Sequence, residues 1–129
     1  MTEELVTLET AKLLKEKGFK EDVFTFYEVD CVEGDMILSE TYDESENFNE
    51  KNDCLSAPTQ SLAQKWLRET KNIHICVYNC ACGYGYEISK ADNGTHITSS
   101  VYEGPNDGGE WDTYEEALEA GILEALKLI

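Results

Sequence analysis

Apolar and polar positions follow two different periods along this chain, and the points where the period changes mark its elements. Leu8, Ala11 and Leu14 recur at helical spacing, which predicts a helix from a Thr7 cap to about Lys17. Val6 can staple onto Ala11, and Gly18 stands where a left-handed residue ends such a helix. Val23 to Val29 is aromatic and β-branched and predicts a strand. A turn through Glu33-Gly34-Asp35 leads to a second strand, Met36 to about Tyr42, so the two predict a hairpin. Asp43 to Asp53 is polar and charged and reads as an exposed loop. Pro58-Thr59 opens a second helix, about Gln60 to Lys71, with Leu62, Trp66, Leu67 and Thr70 on its inner side.

The next stretch changes to a period of two. Ile73, Ile75 and Val77 fall on one face of a strand, and His74, Cys76 and Tyr78 on the other. Cys80-Ala-Cys-Gly83 turns the chain into a strand from Tyr84 to Ala91, and Asn93-Gly94 signals a type I′ hairpin. Pairing Asp92 with Thr95 sets Lys90 opposite Ile97, Ile88 opposite Ser99 and Tyr86 opposite Val101. One side then carries Tyr84, Tyr86, Ile88, Ile97 and Val101. The other carries Glu87, Ser89, His96, Thr98 and Ser100. Gly104 to Gly109 reads as a flexible connection, with Trp111 tucked over the core edge. Thr113 and Glu116 have capping-box spacing for a closing helix to Ile129, whose apolar stripe is Tyr114, Leu118, Ile122, Ala125 and Ile129. Gly121 lies on the margin of that stripe, where it costs about 1 kcal/mol relative to alanine, and a close approach to a neighbouring element would explain it. The expected fold is α+β, residues 1–129 forming a single domain in the order α-β-β-α-β-β-β-α. Its antiparallel sheet is packed by helices, the C-terminal one included.

Charge narrows the functional classes. The chain carries 27 acidic and 10 basic residues, a net charge of −17 at pH 7. That field opposes direct contact with nucleic-acid phosphates and suits either a solvated surface or a basic protein partner. No apolar run approaches the ~20 residues of a membrane helix, so no membrane partner is expected. The acidic Met1-Thr2-Glu3-Glu4 start does not resemble a secretion signal. A cytoplasmic setting is expected, in which the five cysteines (Cys31, Cys54, Cys76, Cys80 and Cys82) stay reduced.

Few residues combine into a reactive constellation. His74, Cys76, Cys80 and Cys82 have zinc-ligand chemistry, with His74 and Cys76 about 7 Å apart on one strand face. Their Cys-x-Cys spacing is not a zinc knuckle and no second pair follows to close a tetrahedral site, so reduced thiols filling a turn and a partly covered sheet face are the plainer reading. Asp43, Ser45, Asn47 and Asn49 alternate as in a calcium loop, but Phe48 stands at the glycine position and Cys54 at the bidentate glutamate. A nucleophile needs a base beside it, and neither His74 nor His96 provides one. Stacking of bases on Tyr78, Tyr84, Tyr86 and Tyr102 lacks a positive groove, with Lys71 and Lys90 alone nearby. No enzyme activity and no cofactor are expected. The remaining candidates for contact are the loop carboxylates Asp43, Glu44, Glu46, Glu50 and Asp53.

Two segments, Ala57-Pro-Thr-Gln-Ser-Leu-Ala-Gln-Lys-Trp-Leu-Arg-Glu69 and Tyr114 to Ile129, resemble small acidic proteins of phages and mobile elements of gut Bacteroidota. That resemblance implies a mobile-element setting and no active-site residues. The order Ile73 to Tyr102 followed by Thr113-Tyr-Glu-Glu-Ala-Leu is also similar to HicB-type antitoxin domains, although Gly104 to Asp112 replaces the family's proline-containing segment. The expected function is a non-enzymatic interaction module. In its concrete form it is a nucleic-acid mimic that masks a host protein with a basic surface. The alternatives are a small zinc-binding domain and an antitoxin-like module.

Overall fold

The computed structural model describes residues 4–30, 32–100 and 103–129. Its fold is α+β, with three α-helices and two three-stranded antiparallel sheets, and it closes on a helix as the apolar pattern predicts. The elements gather into two compact units: Leu5–Thr59, and Gln60–Ile129 together with Glu4.

In the first unit, α1 (Leu8–Glu16) starts where the Thr7 hydroxyl accepts the Thr10 N–H, which satisfies one of the donors a helix start leaves free. Ala11 and Leu14 are buried, as is Val6 just before the cap. The helix ends as expected, with Gly18 at φ +95° and the Phe19 N–H returning to the Leu14 carbonyl. β1 (Thr25–Val29) pairs with β2 (Met36–Glu40) in the predicted hairpin, Tyr27 opposite Leu38. A third strand, β3 (Cys54–Ser56), pairs with the other side of β1, so the sheet order is β2-β1-β3. The Tyr27 hydroxyl donates to the Val6 carbonyl, tying the sheet face bearing Tyr27 to the chain that enters α1.

The stretch from Asp43 to Asp53 is not simply an exposed loop. Glu46 bridges to Val23 through both backbone hydrogen bonds, and Phe48–Glu50 forms a 3-10 turn. Phe48 is 3% exposed and stacks on Phe26 with ring centroids 4.0 Å apart. A phenylalanine of this kind contributes roughly 2 kcal/mol when taken out of water, enough to hold an otherwise polar segment against the sheet. Charge counting over the segment hides that one residue.

In the second unit, α2 (Gln60–Thr70) and α3 (Tyr114–Lys127) pack on the sheet of β4 (Ile73–Cys80), β5 (Gly83–Lys90) and β6 (His96–Ser99). The inner side of α2 is Gln60, Ala63, Trp66 and Leu67, not the expected set ending in Thr70. Thr70 is exposed and its hydroxyl donates to the Trp66 carbonyl, a local bond that takes the place of packing. Gln60 is buried because its amide donates to the Glu115 carbonyl and to the Glu119 carboxylate.

Ile73 and Ile75 are buried as their alternation predicts, and His74, Cys76 and Tyr78 take the other face. The β5–β6 register differs from the predicted one by a residue. Ile88 lies opposite Thr98, Glu87 opposite Ser99, and a bulge follows at Ser89 opposite His96. The turn is longer than a type I′ pair: the Gly94 N–H reaches the Lys90 carbonyl, and Gly94 alone of the Asn93-Gly94 pair has positive φ, +75°. Thr98 and Ser100 therefore join Tyr86 and Ile88, while Ile97 falls in the bulge and is exposed. The expected partner Val101 lies outside the described residues, as do Cys31 and Tyr102. The Tyr84 backbone pairs with Trp111, and the indole stacks on Tyr86 at 5.9 Å, so Trp111 covers the end of the sheet. Gly104 to Gly109 is closed by its own backbone bonds, Gly104 N–H to Gly109 and Gly109 N–H to Asn106.

Thr113 caps α3 by accepting the Glu116 N–H at 3.1 Å. The Glu116 carboxylate accepts from the Thr113 hydroxyl and not from the Thr113 backbone N–H, so only the half in which Thr113 accepts has the donor that the predicted capping box requires. The buried stripe is Ala117, Leu118, Gly121, Ile122, Ala125 and Leu126; Tyr114 is exposed and Ile129 half-buried. The stripe is centred on Gly121 because a Cβ there would stand 2.8 Å from Ile75 Cγ2 and 3.1 Å from Tyr86 Cγ. The helix that lies this close presents its small residues and turns Tyr114 outward.

Replacing Gly121 by leucine is expected to lower the unfolding free energy by about 1–3 kcal/mol in denaturant titration, despite leucine's better helix propensity. Tyr86 gives a second expectation. Burial, then its bond to the Glu103 carboxylate, pushes its phenol far above the usual tyrosine range. A raised folded-state value favours the native state at lower pH. The contribution is thus complete below about pH 10, and is lost as pH rises beyond it. Tyr86→Phe is expected to cost about 1 kcal/mol at pH 7 and to make the stability loss above pH 10 shallower.

Candidate interaction surface

The loop carboxylates sit on a backbone that is fastened from below. Asn47 accepts the Asn49 N–H, the Asn49 side-chain amide donates to the Phe19 carbonyl, and its oxygen accepts the Ser56 N–H. Lys15 donates to the Lys51 and Cys54 carbonyls at 2.7 and 2.9 Å. With Phe48 as the apolar anchor, these bonds leave Asp43, Glu44, Glu46, Glu50 and Asp53 all exposed. Lys51 pairs with Glu46 at 3.0 Å and lies 5.3 Å from the Phe48 ring centre. The hydrogen bond and charge of Glu46 hold the Lys51 ammonium above its usual range. Asp43, Glu44 and Glu50 stand on a fixed frame, so a partner meeting them need not order the loop first.

A wider charge asymmetry surrounds this loop in the sequence, and no single segment displays it. Between Lys20 and Lys51 there are eleven acidic residues and no lysine or arginine. Lys12, Lys15, Lys17 and Lys20 are gathered instead in and just after α1. The signal is visible in the primary structure when charge is counted between successive cations.

On one face of this unit, Lys12, Val29, Met36, Asn52, Asp53, Cys54 and Leu55 line an open groove of about 280 Å³. Its one thiol is held up by burial and by the neighbouring Asp53 carboxylate, which accepts the thiol hydrogen at 3.6 Å. Cys54 is therefore a protonated thiol at neutral pH, a poor nucleophile.

The cysteine and histidine candidates share a strand without converging. His74, Cys76 and Cys80 lie on one face of β4, but His74 and Cys80 are six positions apart, about 20 Å along a strand. Cys82 is in the turn beyond. Among the described residues no group of three or more His, Cys, Asp or Glu side chains could hold a metal ion. His74 Nδ1 is shielded from solvent without a hydrogen-bond partner, and Cys76 lies across from Glu87. His96 approaches Glu87 at 3.8 Å on the same sheet, an exposed pair. Among the described residues no helix is long and apolar enough to cross a membrane.

No protein-family model matches the chain, and no curated protein or solved structure matches it either.

The thiols offer a direct check on this geometry. In a Cys31→Ser background, Cys76, Cys80 and Cys82 are exposed and are expected to react with a disulfide reagent within the mixing time at pH 8. Cys54 is expected to react at least about tenfold more slowly until denaturant is added. Equal rates at all four sites would contradict the burial described here.

Proposed function

We propose that this chain is a non-enzymatic interaction module whose carboxylate surface binds a basic face of another protein. In its sharpest form it occupies the nucleic-acid-binding surface of a host defence or DNA-handling protein, a role in keeping with the mobile-element resemblance. The observation that carries this reading is charge left over after every internal pairing. Even with all 10 cations neutralised, the net −17 remains. Much of it stands on the lysine-free stretch from Glu21 to Glu50, where the anchored turn at Phe48 holds the loop carboxylates outward. Fixed charges of one sign raise the association rate with a basic surface and disfavour acidic ones.

The test is retention of host proteins on the immobilised chain. Basic proteins are expected to bind at about 50 mM salt and to leave at about 300 mM, because exposed charges are screened over a few ångströms at that strength. Duplex DNA at low salt is expected to displace them as well. Neutralising Asp43, Glu44, Glu46, Glu50 and Asp53 to their amides is expected to weaken retention by at least about tenfold. Retention indifferent to salt, to DNA and to the five substitutions would overturn the proposal.

A further inference from the structure

The hairpin carries a second feature that charge alone does not explain. Among the described residues β2 is the outer strand of its sheet, and it pairs with β1 without a bulge from Met36 to Glu40. In an antiparallel pair, alternate residues turn their backbone groups toward the neighbour. The Asp30 N–H bonds to Asp35 and the Thr41 N–H to Phe24, which assigns Ile37 and Ser39 to the inner set. Met36, Leu38 and Glu40 therefore turn N–H and C=O outward, a row of main-chain groups ready to receive another strand. Water-exposed edges are usually guarded by lysine, proline or a bulge. This one has none of these, and it exposes large apolar side chains on both faces, Leu38 at 50% and Ile37 at 42%.

The occupant is selected by charge. From Asp30 to Asp43 the hairpin has five carboxylates and no cation. A second copy paired edge to edge about Leu38 would set Met36 of each strand against Glu40 of the other and bring two such sets of carboxylates together, which like-charge repulsion opposes. A strand rich in lysine or arginine meets the opposite field. We propose that the free edge of β2 receives an extended basic segment of a partner protein as an added strand. Its main chain bonds to Met36, Leu38 and Glu40, its apolar side chains cover Leu38 or Ile37, and its cations face Asp35, Glu40 and Asp43. Main-chain pairing supplies affinity and the alternating side chains supply selectivity. This inference rests on the acidic-surface reading above and adds the form of the partner.

Two capped peptides of equal charge separate the two ideas: an octapeptide alternating valine and lysine, and tetralysine. Each is titrated into the full isotope-labelled chain at low salt, with amide hydrogen exchange read residue by residue. The alternating peptide is expected to bind at least about tenfold more tightly and to slow exchange at Met36, Leu38 and Glu40. Leu38→Pro removes one outward donor and leaves the inner ladder its bonds. It is expected to abolish that preference while tetralysine binding stays unchanged. Should the variant lose its fold, the exchange pattern of the unaltered chain still decides. Equal binding of both peptides without protection at the three amides overturns strand addition and leaves the acidic reading standing. Failure of both peptides to bind overturns the acidic reading itself. Protection of the same amides that grows with protein concentration, peptide absent, would assign the edge to a second copy and overturn the proposal.

Discussion

An excess of carboxylates is the constraint under which this chain folds. Seventeen uncompensated negative charges repel one another in any compact state, and none can enter an apolar interior without a large desolvation cost. The fold answers by burying small and apolar residues tightly. Ala63, Leu67, Ile75, Ile88, Ala117, Ile122, Ala125 and Leu126 line the interior of one unit, and Val6, Ala11, Leu14, Phe19 and Phe48 that of the other. Most polar groups that go inside are matched, the Ser56 hydroxyl and His74 Nδ1 being the exceptions among the described residues. Gln60 has two acceptors, and the Ser100 hydroxyl accepts the Tyr86 N–H.

The same constraint connects packing to the proposed role. A strongly charged loop left free would spread out, and a partner would have to order it on binding. Phe48 on Phe26 and the three bonds of Asn47 and Asn49 remove that freedom before any encounter. The acidic hairpin beside it has apolar residues and outward main-chain groups on the edge of β2, where like charge opposes pairing of identical copies. In the proposed role charge acts twice, as the attractive surface and as the guard on an edge open to self-pairing.

Legibility followed the range of the interactions involved. α1, the β1–β2 hairpin and the common face of His74 and Cys76 were readable because helix and strand periods are set by neighbours a few positions away. Whether His74, Cys76, Cys80 and Cys82 meet is another matter, since parity places side chains on a face and says nothing of convergence along it. The carboxylates of the 43–53 segment were legible as exposed, and the anchor beneath them was not. Phe48 needed Phe26, twenty-two positions earlier, to give it a place.

What the residue order determined alone was the α+β class, the closing helix with its Thr113 cap, and the acidic field, because each arises from local pattern or from simple charge. Tertiary contact decided the rest: the one-residue shift of β6, the rotation of α3 onto Gly121, and the partition of strands into two sheets. A register is chosen by which side chains fit across strands, and a helix face by how closely its backbone can approach Ile75 and Tyr86. Those are comparisons between distant residues, and no window along the chain contains both.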